Sequence, residues 1–341
     1  MASNLQLISG SPLIGSPIVY EVTAGSPVGT VSFQRVKIYV LARLSTEQTY
    51  RRYELSQPVS KGETVEIDIG SALRAVADSY EYTSDIPASY PYVRWTLEAC
   101  DEYMQNGQNS GDVGVVTNEG GRALMGSFSD LERLRAAQAG RKTSRFTRKP
   151  SSSPEIVFVG STFLHPQQMT VGITDIYHGQ IVDEATVTSE GSQNLFGVTV
   201  YAVPFPTDGY EIRFINGLGA MESVCVKSLT QEEVNYKTTD YVVAHQELFN
   251  QVSRNDVLKS GDQERLKLSS GPVDRLWQQW YLHEMLMARH AWVKVDSMWV
   301  PCHIMPEETV SGLNRVDGKP LEVQFALRLD ISGSPYAALA I

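Results

Sequence analysis

Among the side chains able to do chemistry, one grouping stands out first by spacing. His283-Glu284, followed by His290, lies in the run LHEMLMARH and has the residue types of a zinc-protease helix. That chemistry needs two histidines at i and i+4, so that both face one metal. Here the second histidine comes seven residues after the first, across a Met- and Leu-rich stretch. The segment therefore reads as a structural helix whose polar groups find partners, as buried polar groups generally do. Asn216-Gly217-Leu218-Gly219 has two glycines but lacks the Lys-Ser/Thr and the following helix of a phosphate loop, and it reads as a turn. Asp68, Asp78, Glu81 and Asp85, with the adjacent pair Glu307-Glu308, offer carboxylates at no meaningful spacing. Glycoside hydrolysis needs two carboxylates across a cleft, and these read as solvated surface. No cofactor or metal motif emerges.

Two further groupings point to binding. Arg133, Arg135, Arg141, Lys142, Arg145, Arg148 and Lys149 form a run with no acidic residue between Arg133 and Lys149, in a chain of formal net charge -10. A basic tongue on an acidic body suits an acidic patch on a neighbouring copy, or nucleic acid. The plainer reading is a solvated linker. Phe146 alone offers an aromatic ring inside the run, which argues against a stacking platform for single strands. Tyr80, Tyr82, Tyr90 and Tyr92 cluster beside Pro87 and Pro91, a composition found at protein interfaces and carbohydrate-stacking surfaces, and equally in a packed core. The candidate interaction residues are Arg141, Lys142, Arg145, Arg148, Lys149, Tyr90 and Tyr92.

The elements that must position these groups are mostly strands. VSFQRVKIYVLARL alternates apolar Val31 and Phe33, then Val36, Ile38 and Val40, with polar neighbours; TVEIDI carries Val65, Ile67 and Ile69 on one face; PYVRWTLEACDEY carries Val93, Trp95 and Leu97. A short helix is expected over roughly 71–78. Ser129 or Asp130 caps another, which Gly140 ends. Three Ser-Pro pairs, at Ser11-Pro12, Ser16-Pro17 and Ser26-Pro27, keep the N-terminus extended, as an arm or an edge strand. In YEIRFINGLGAMESVCVKS, Ile212 and Phe214 alternate up to Asn216-Gly217, and Val224 and Val226 continue on the return. This predicts a hairpin with a type I′ turn at Asn216-Gly217, or a longer loop. The run GPVDRLWQQWYLHEMLMARHAW predicts a helix over about 272–290, with Leu276, Trp280 and Met287 near one side and Val273, Trp277 and Leu286 adjoining it.

The fold class expected is mainly β: two β-sandwich-like domains with helical insertions. Residues 1–140 form the first domain, with an extended N-terminal arm; 141–154 form a basic Ser/Pro-rich linker; 155–341 form the second domain, carrying the one substantial helix. The start of the chain lacks the basic and apolar regions of a signal peptide, and no stretch approaches a membrane span. Cys100, Cys225 and Cys302 are odd in number and far apart, and read as buried, reduced side chains.

The order of YEIRFINGLGAMESV, VDRLWQQWYLHEMLMARHAWV, MWVPCHIMPEE and PLEVQFALRLDIS, with SPIVYEV and VEIDIGSALRAV earlier, resembles a group of tailed-bacteriophage virion proteins of the tail or tail tip. The resemblance implies a non-enzymatic structural subunit, of distal-tail or baseplate type, made in the host cytoplasm and residing in the virion. It also implies a homo-oligomeric ring and other tail proteins as partners; apart from it, the net charge of -10 argues against a general nucleic-acid binder and the lack of a long apolar stretch against membrane insertion. The group has no site motif, so no functional residue carries over. The competing reading is a carbohydrate-binding or adhesin module that uses the tyrosines to recognise a host-surface glycan.

Overall fold

The computed structural model describes residues 4–9, 13–80, 91–132, 146–150, 154–165, 183–244, 253–311 and 321–329. The protein is mainly β. In the N-terminal body, strands β1 (Asn4–Ser9), β2 (Val19–Thr23) and β5 (Thr64–Asp68) form one antiparallel sheet in the order β1-β2-β5. A second sheet joins β4 (Arg51–Pro58), β3 (Phe33–Leu44) and β6 (Tyr92–Gln105), with β7 (Gln108–Asn109) and β8 (Val113–Leu124) both paired to β6. The alternation expected in β3 and β6 is realised as register. Ile38 faces Ala99, Val40 faces Leu97 and Ala42 faces Trp95, all buried. Directly opposed residues of an antiparallel pair share a face, and this face packs against Tyr20, Val22, Val65 and Ile67 of the other sheet. Helix α1 (Gly70–Ala77) adds Ala72, Leu73 and Val76 to the same core. On the outer face, Lys37 lies between Glu102 (2.8 Å) and Asp112 (3.0 Å), and Tyr39 donates to Asp112 at 2.7 Å, which fixes the turn after β7 onto β3.

The N-terminal segment is not a free arm. Residues 4–9 pair with β2 as an edge strand, Leu13 bridges Leu124, and Leu13, Ile14 and Ile18 are buried. The Ser-Pro punctuation keeps the chain extended, and its apolar residues then find a core to enter.

After the described residues 146–150 come two small sheets. One has the order β12-β13-β9, from β9 (Glu155–Phe158), β12 (Gly191–Leu195) and β13 (Val198–Val203), with β13 and β9 parallel. The other pairs β10 (Thr162–His165) with β11 (Asp183–Thr186). Where a second sandwich was expected, six antiparallel strands close on themselves. These are β14 (Gly209–Ile215), β15 (Met221–Ala244), β16 (Ser253–Ser269), β17 (Ala291–Val295), β18 (Met298–Ser311) and β19 (Val323–Leu329), in the closed order β14-β15-β16-β19-β18-β17. Closure leaves no sheet edge at the barrel wall. Ile212, Val224, Leu266, Leu268, Val293, Val300, Phe325 and Leu327 lie on one inward face by register and make its core.

The helix expected over 272–290 is shorter. Val273 is still in a β-bridge with Leu321, and Asp274, in extended backbone, caps α2 (Arg275–Trp280) by accepting from the Trp277 N–H at 2.9 Å. A π-helical turn, Tyr281–Met285, follows, closed by the Leu286 N–H donating to the Tyr281 carbonyl. The wider turn rotates the buried face. Trp277, Trp280, Tyr281, Met285 and Leu286 pack into the barrel core, and Trp280 meets the Phe214 ring at 5.7 Å. Leu276 and Met287, expected on the packed side, are 54% and 66% exposed. Truncating Trp280 to Ala is expected to cost about 3–5 kcal/mol in urea unfolding. Leu276→Ala is expected to stay within about 0.5 kcal/mol; equal effects would mean the helix packs through the other face.

Candidate functional site

The polar side chains with the most exacting surroundings gather where the N-terminal body meets the barrel. The β14–β15 hairpin tip, residues 216–220, starts it. Neither Asn216 nor Gly217 has a positive φ, so the tip is not the type I′ turn expected; the positive φ falls at Gly219, at 81°. The longer loop is closed by the Asn216 side chain. Its Oδ1 accepts from the Leu218 and Ala220 N–H groups at 3.0 and 2.9 Å. Its Nδ2 donates to the Phe146 carbonyl at 2.8 Å and to Glu222 Oε1 at 2.5 Å. An asparagine amide that satisfies two backbone donors makes a second turn within the loop.

This tip lies backbone to backbone on the N-terminal body. The Ser127 N–H donates to the Gly217 carbonyl at 3.0 Å. A Cβ on Gly126 would fall 2.1 Å from the Leu218 carbonyl carbon, and one on Gly217 would fall 2.8 Å from Arg148 Nη1. Around the contact, Leu13, Leu124, Phe146, Leu164, Ile215, Leu218, Ala220, Met221 and Trp292 form one apolar cluster drawn from both bodies.

Residues 146–150 lace the two together. Arg148 donates from Nε and Nη2 to the two oxygens of Glu132, each at 2.7 Å, and from Nη1 to Glu284 Oε1 at 2.5 Å. Glu132 belongs to a capping box. Its carboxylate accepts from the Ser129 N–H at 2.8 Å, and its own N–H donates to Ser129 Oγ at 3.2 Å. Glu284 Oε2 accepts from the Gly217 N–H at 3.0 Å, so one carboxylate of the π-turn holds both the guanidinium and the hairpin tip. Lys149 donates to the Ser223 carbonyl at 2.9 Å, pairs with Glu155, and lies 5.3–5.6 Å from the ring centroids of Phe163, Trp277 and Trp280. Thr147 Oγ1 donates to Glu222 Oε1 at 2.7 Å.

Burial and partners drive these carboxylates apart. Burial raises Glu132, but the Arg148 and Ser129 hydrogen bonds outweigh it and hold the group down at about 2. Glu222 is 1% exposed, and its Oε2 has no hydrogen-bond partner. Burial pushes it up to about 7, against the Lys149 charge and the Asn216 and Thr147 hydrogen bonds, with the Glu284 charge adding to the rise. Burial also raises Glu155 and Glu211. His290 goes the other way, down to about 4, through burial and the nearby charges of Arg289 and His303.

The candidates named from sequence are distributed as follows. Arg148 and Lys149, expected on a partner-facing tongue, have their charged ends engaged within the chain. Arg141, Lys142, Arg145 and Tyr90 lie outside the described residues. Tyr92 packs half-buried against the apolar cluster, with the Arg122 guanidinium 5.7 Å from its ring centroid. His283 is exposed, and its neighbour Glu284 is held by Arg148. Cys100 and Cys302 are buried and Cys225 half-buried, all free, each pushed up to about 12 by burial. Glu132, Asn216, Glu222 and Glu284 were not singled out from sequence as site residues. Only the Ser129-x-x-Glu132 spacing was a signal for one of them. A hollow of about 650 Å³ beside the contact takes Arg74, Asp78, Tyr80, His283 and Arg289 from both bodies. Among the described residues no three His, Cys, Asp or Glu side chains form a metal-binding group.

Two outcomes follow from this geometry. Gly126→Ala puts a methyl group against fixed backbone, and is expected to destabilise the chain by about 1–3 kcal/mol in denaturant titration. Glu222 keeps its proton in the folded chain between pH 4.5, where it is lost on unfolding, and about 7. Its contribution therefore falls as pH rises through that window, by up to about 3 kcal/mol, and is constant above it. His290 contributes the opposite slope between about 4 and 6.5, so the effect of Glu222 is isolated by comparison with Glu222→Gln. Stability of the native chain minus that of the variant is expected to fall from pH 5 to pH 8; a pH-independent difference would rule out the titration.

No protein-family model matches the chain, and no curated protein matches it.

Proposed function

We propose that this chain is a non-enzymatic structural subunit of a bacteriophage tail, of distal-tail or tail-tip type, acting by assembly with copies of itself and with neighbouring tail proteins. The observation that carries the reading is the use to which the reactive side chains are put. Arg148, Lys149, Glu132, Glu222 and Glu284 are engaged around the 146–150 segment that joins a sandwich to a closed barrel, and Glu155 of a small sheet pairs with the same Lys149. A pair of β bodies locked in one orientation is what a ring subunit needs, because a fixed rotation between copies is the condition for a ring to close. The resemblance of the strand, helix and strand order to tail proteins points the same way.

The purified chain at physiological salt is expected to give discrete oligomers by light scattering, and rings of one size in negative-stain images. A strict monomer that gives a signal on a glycan array, lost on Tyr92→Ala, would replace this reading with a carbohydrate-binding one.

A further inference from the structure

Strands β15 and β16 are far longer than the barrel they help to build. β15 pairs with β14 only as far as Lys227, and β16 pairs with β19 only from Arg265 onward. Beyond those points Val234–Ala244 and residues 253–264 pair with each other, and with no other strand among the described residues. At about 3.3 Å per residue, this two-stranded ribbon reaches about 35 Å past the barrel wall. Register shifts at its root, between Ser228 and Glu232 and again between Val234 and Tyr236, are irregularities of the kind that bend and twist a ribbon away from its sheet.

Such a ribbon is marginal in water by itself. Along each outer edge, roughly every second residue presents an unpaired N–H and C=O, because only the inner groups are used by the partner strand. Native edges are usually blunted by proline, charge or shortness. The stretch VNYKTTDYVVA on the β15 side is long, has no proline, has only Lys237 and Asp240 as charges, and is rich in Val, Thr and Tyr. On the β16 side, 253–264 carries five charged residues.

We propose that this ribbon is the surface through which copies of the chain join, the β15 edge of one copy hydrogen-bonding to the β16 edge of the next. This rests on the structural-subunit reading and names its contact. The occupant follows from strand direction. In ribbons that all point the same way, β15 runs outward and β16 runs back. Setting them side by side therefore gives an unbroken up-down alternation, antiparallel at every step. A two-fold pairing of two β15 edges requires opposed ribbons and leaves both β16 edges open. The head-to-tail arrangement uses both edges of each copy and closes when the rotation completes a circle.

Amide hydrogen exchange on the full chain, across a concentration series followed by light scattering, tests it. In the oligomer, peptides covering 234–244 and 253–264 are expected to lose their fast-exchanging half, whereas in the monomer that half exchanges freely. The double variant Val242→Pro/Val257→Pro, whose N–H groups face outward by register, is expected to raise the concentration for half-assembly at least about tenfold. Its Tm and near-ultraviolet circular dichroism should match the parent, since the ribbon lies outside the barrel core. Oligomers whose ribbon peptides exchange as in the monomer would overturn the ribbon contact and leave the structural-subunit reading standing. A chain that stays monomeric at all concentrations would overturn the self-pairing itself.

Discussion

A guanidinium shared between two carboxylates from distant parts of the chain is the interaction on which the rest of this structure depends. Arg148 takes Glu132 in a two-pronged bond and Glu284 through its remaining nitrogen, and Glu284 in turn holds the hairpin tip. The planar fork of arginine fits such a carboxylate with both orientation and distance fixed. An ion pair withdrawn from water recovers little net stability, because desolvation offsets the attraction. Its consequence here is geometric. The apolar cluster around Leu124, Ile215 and Trp292 supplies attraction without direction, and Arg148 selects one orientation from those that the cluster would tolerate. Removing either carboxylate leaves the other partner under-compensated, so the network acts as a unit.

The hydrophobic contact and the backbone contact impose the same constraint from another side. Hairpin tip and N-terminal body approach so closely that Gly126 has no room for a Cβ, and the space beside Gly217 is taken by Arg148 and Glu284. Contacts between main chains are stiff, because no side-chain torsion can absorb a displacement. The barrel transmits that stiffness. Its six strands close, and the helix and π-turn that carry Glu284 pack their aromatic rings into its core.

Legibility from sequence followed the range of the physics involved. β3 and β6 were readable because alternation is a local property: Val93 to Ala99 obey it residue by residue, and in β3 the core face Val36, Ile38, Val40 and Ala42 keeps the period although Lys37 and Tyr39 between them are also buried. The barrel was not readable, since closure is decided by which distant strands find each other; β14 beside β17 has no local signature. The hairpin at Asn216 was readable as a reversal but not as a turn type. Its conformation is set by the Asn216 amide reaching Phe146 and Glu222, groups brought there by tertiary structure. At the helix near Trp277 the pattern found Trp277, Trp280 and Leu286, which pack inward, but not the exposure of Leu276 before the wide turn at Tyr281 or of Met287 after it. Arg148 looked like a surface charge because its partners Glu132 and Glu284 lie 16 and 136 residues away, where charge patterning along the chain has no reach.

The contact also shows why burial alone does not decide the state of a carboxyl group. Glu132 is bonded by Arg148 and Glu222 by its neighbour Thr147, yet one is held at about 2 and the other pushed to about 7. Glu132 meets a full positive charge through two hydrogen bonds, with a backbone N–H in addition. Glu222 is fully buried and has the Lys149 charge near it without a hydrogen bond to it; two neutral donors meet one oxygen and none the other, and Glu284 adds a like charge. The guanidinium network requires Glu132 ionised, and the interior around Glu222 prefers it neutral. Glu132 is ionised and Glu222 protonated together only between about 2 and 7; above that range the Glu222 charge joins that of Glu284 in the same interior, with the Lys149 charge opposing the repulsion.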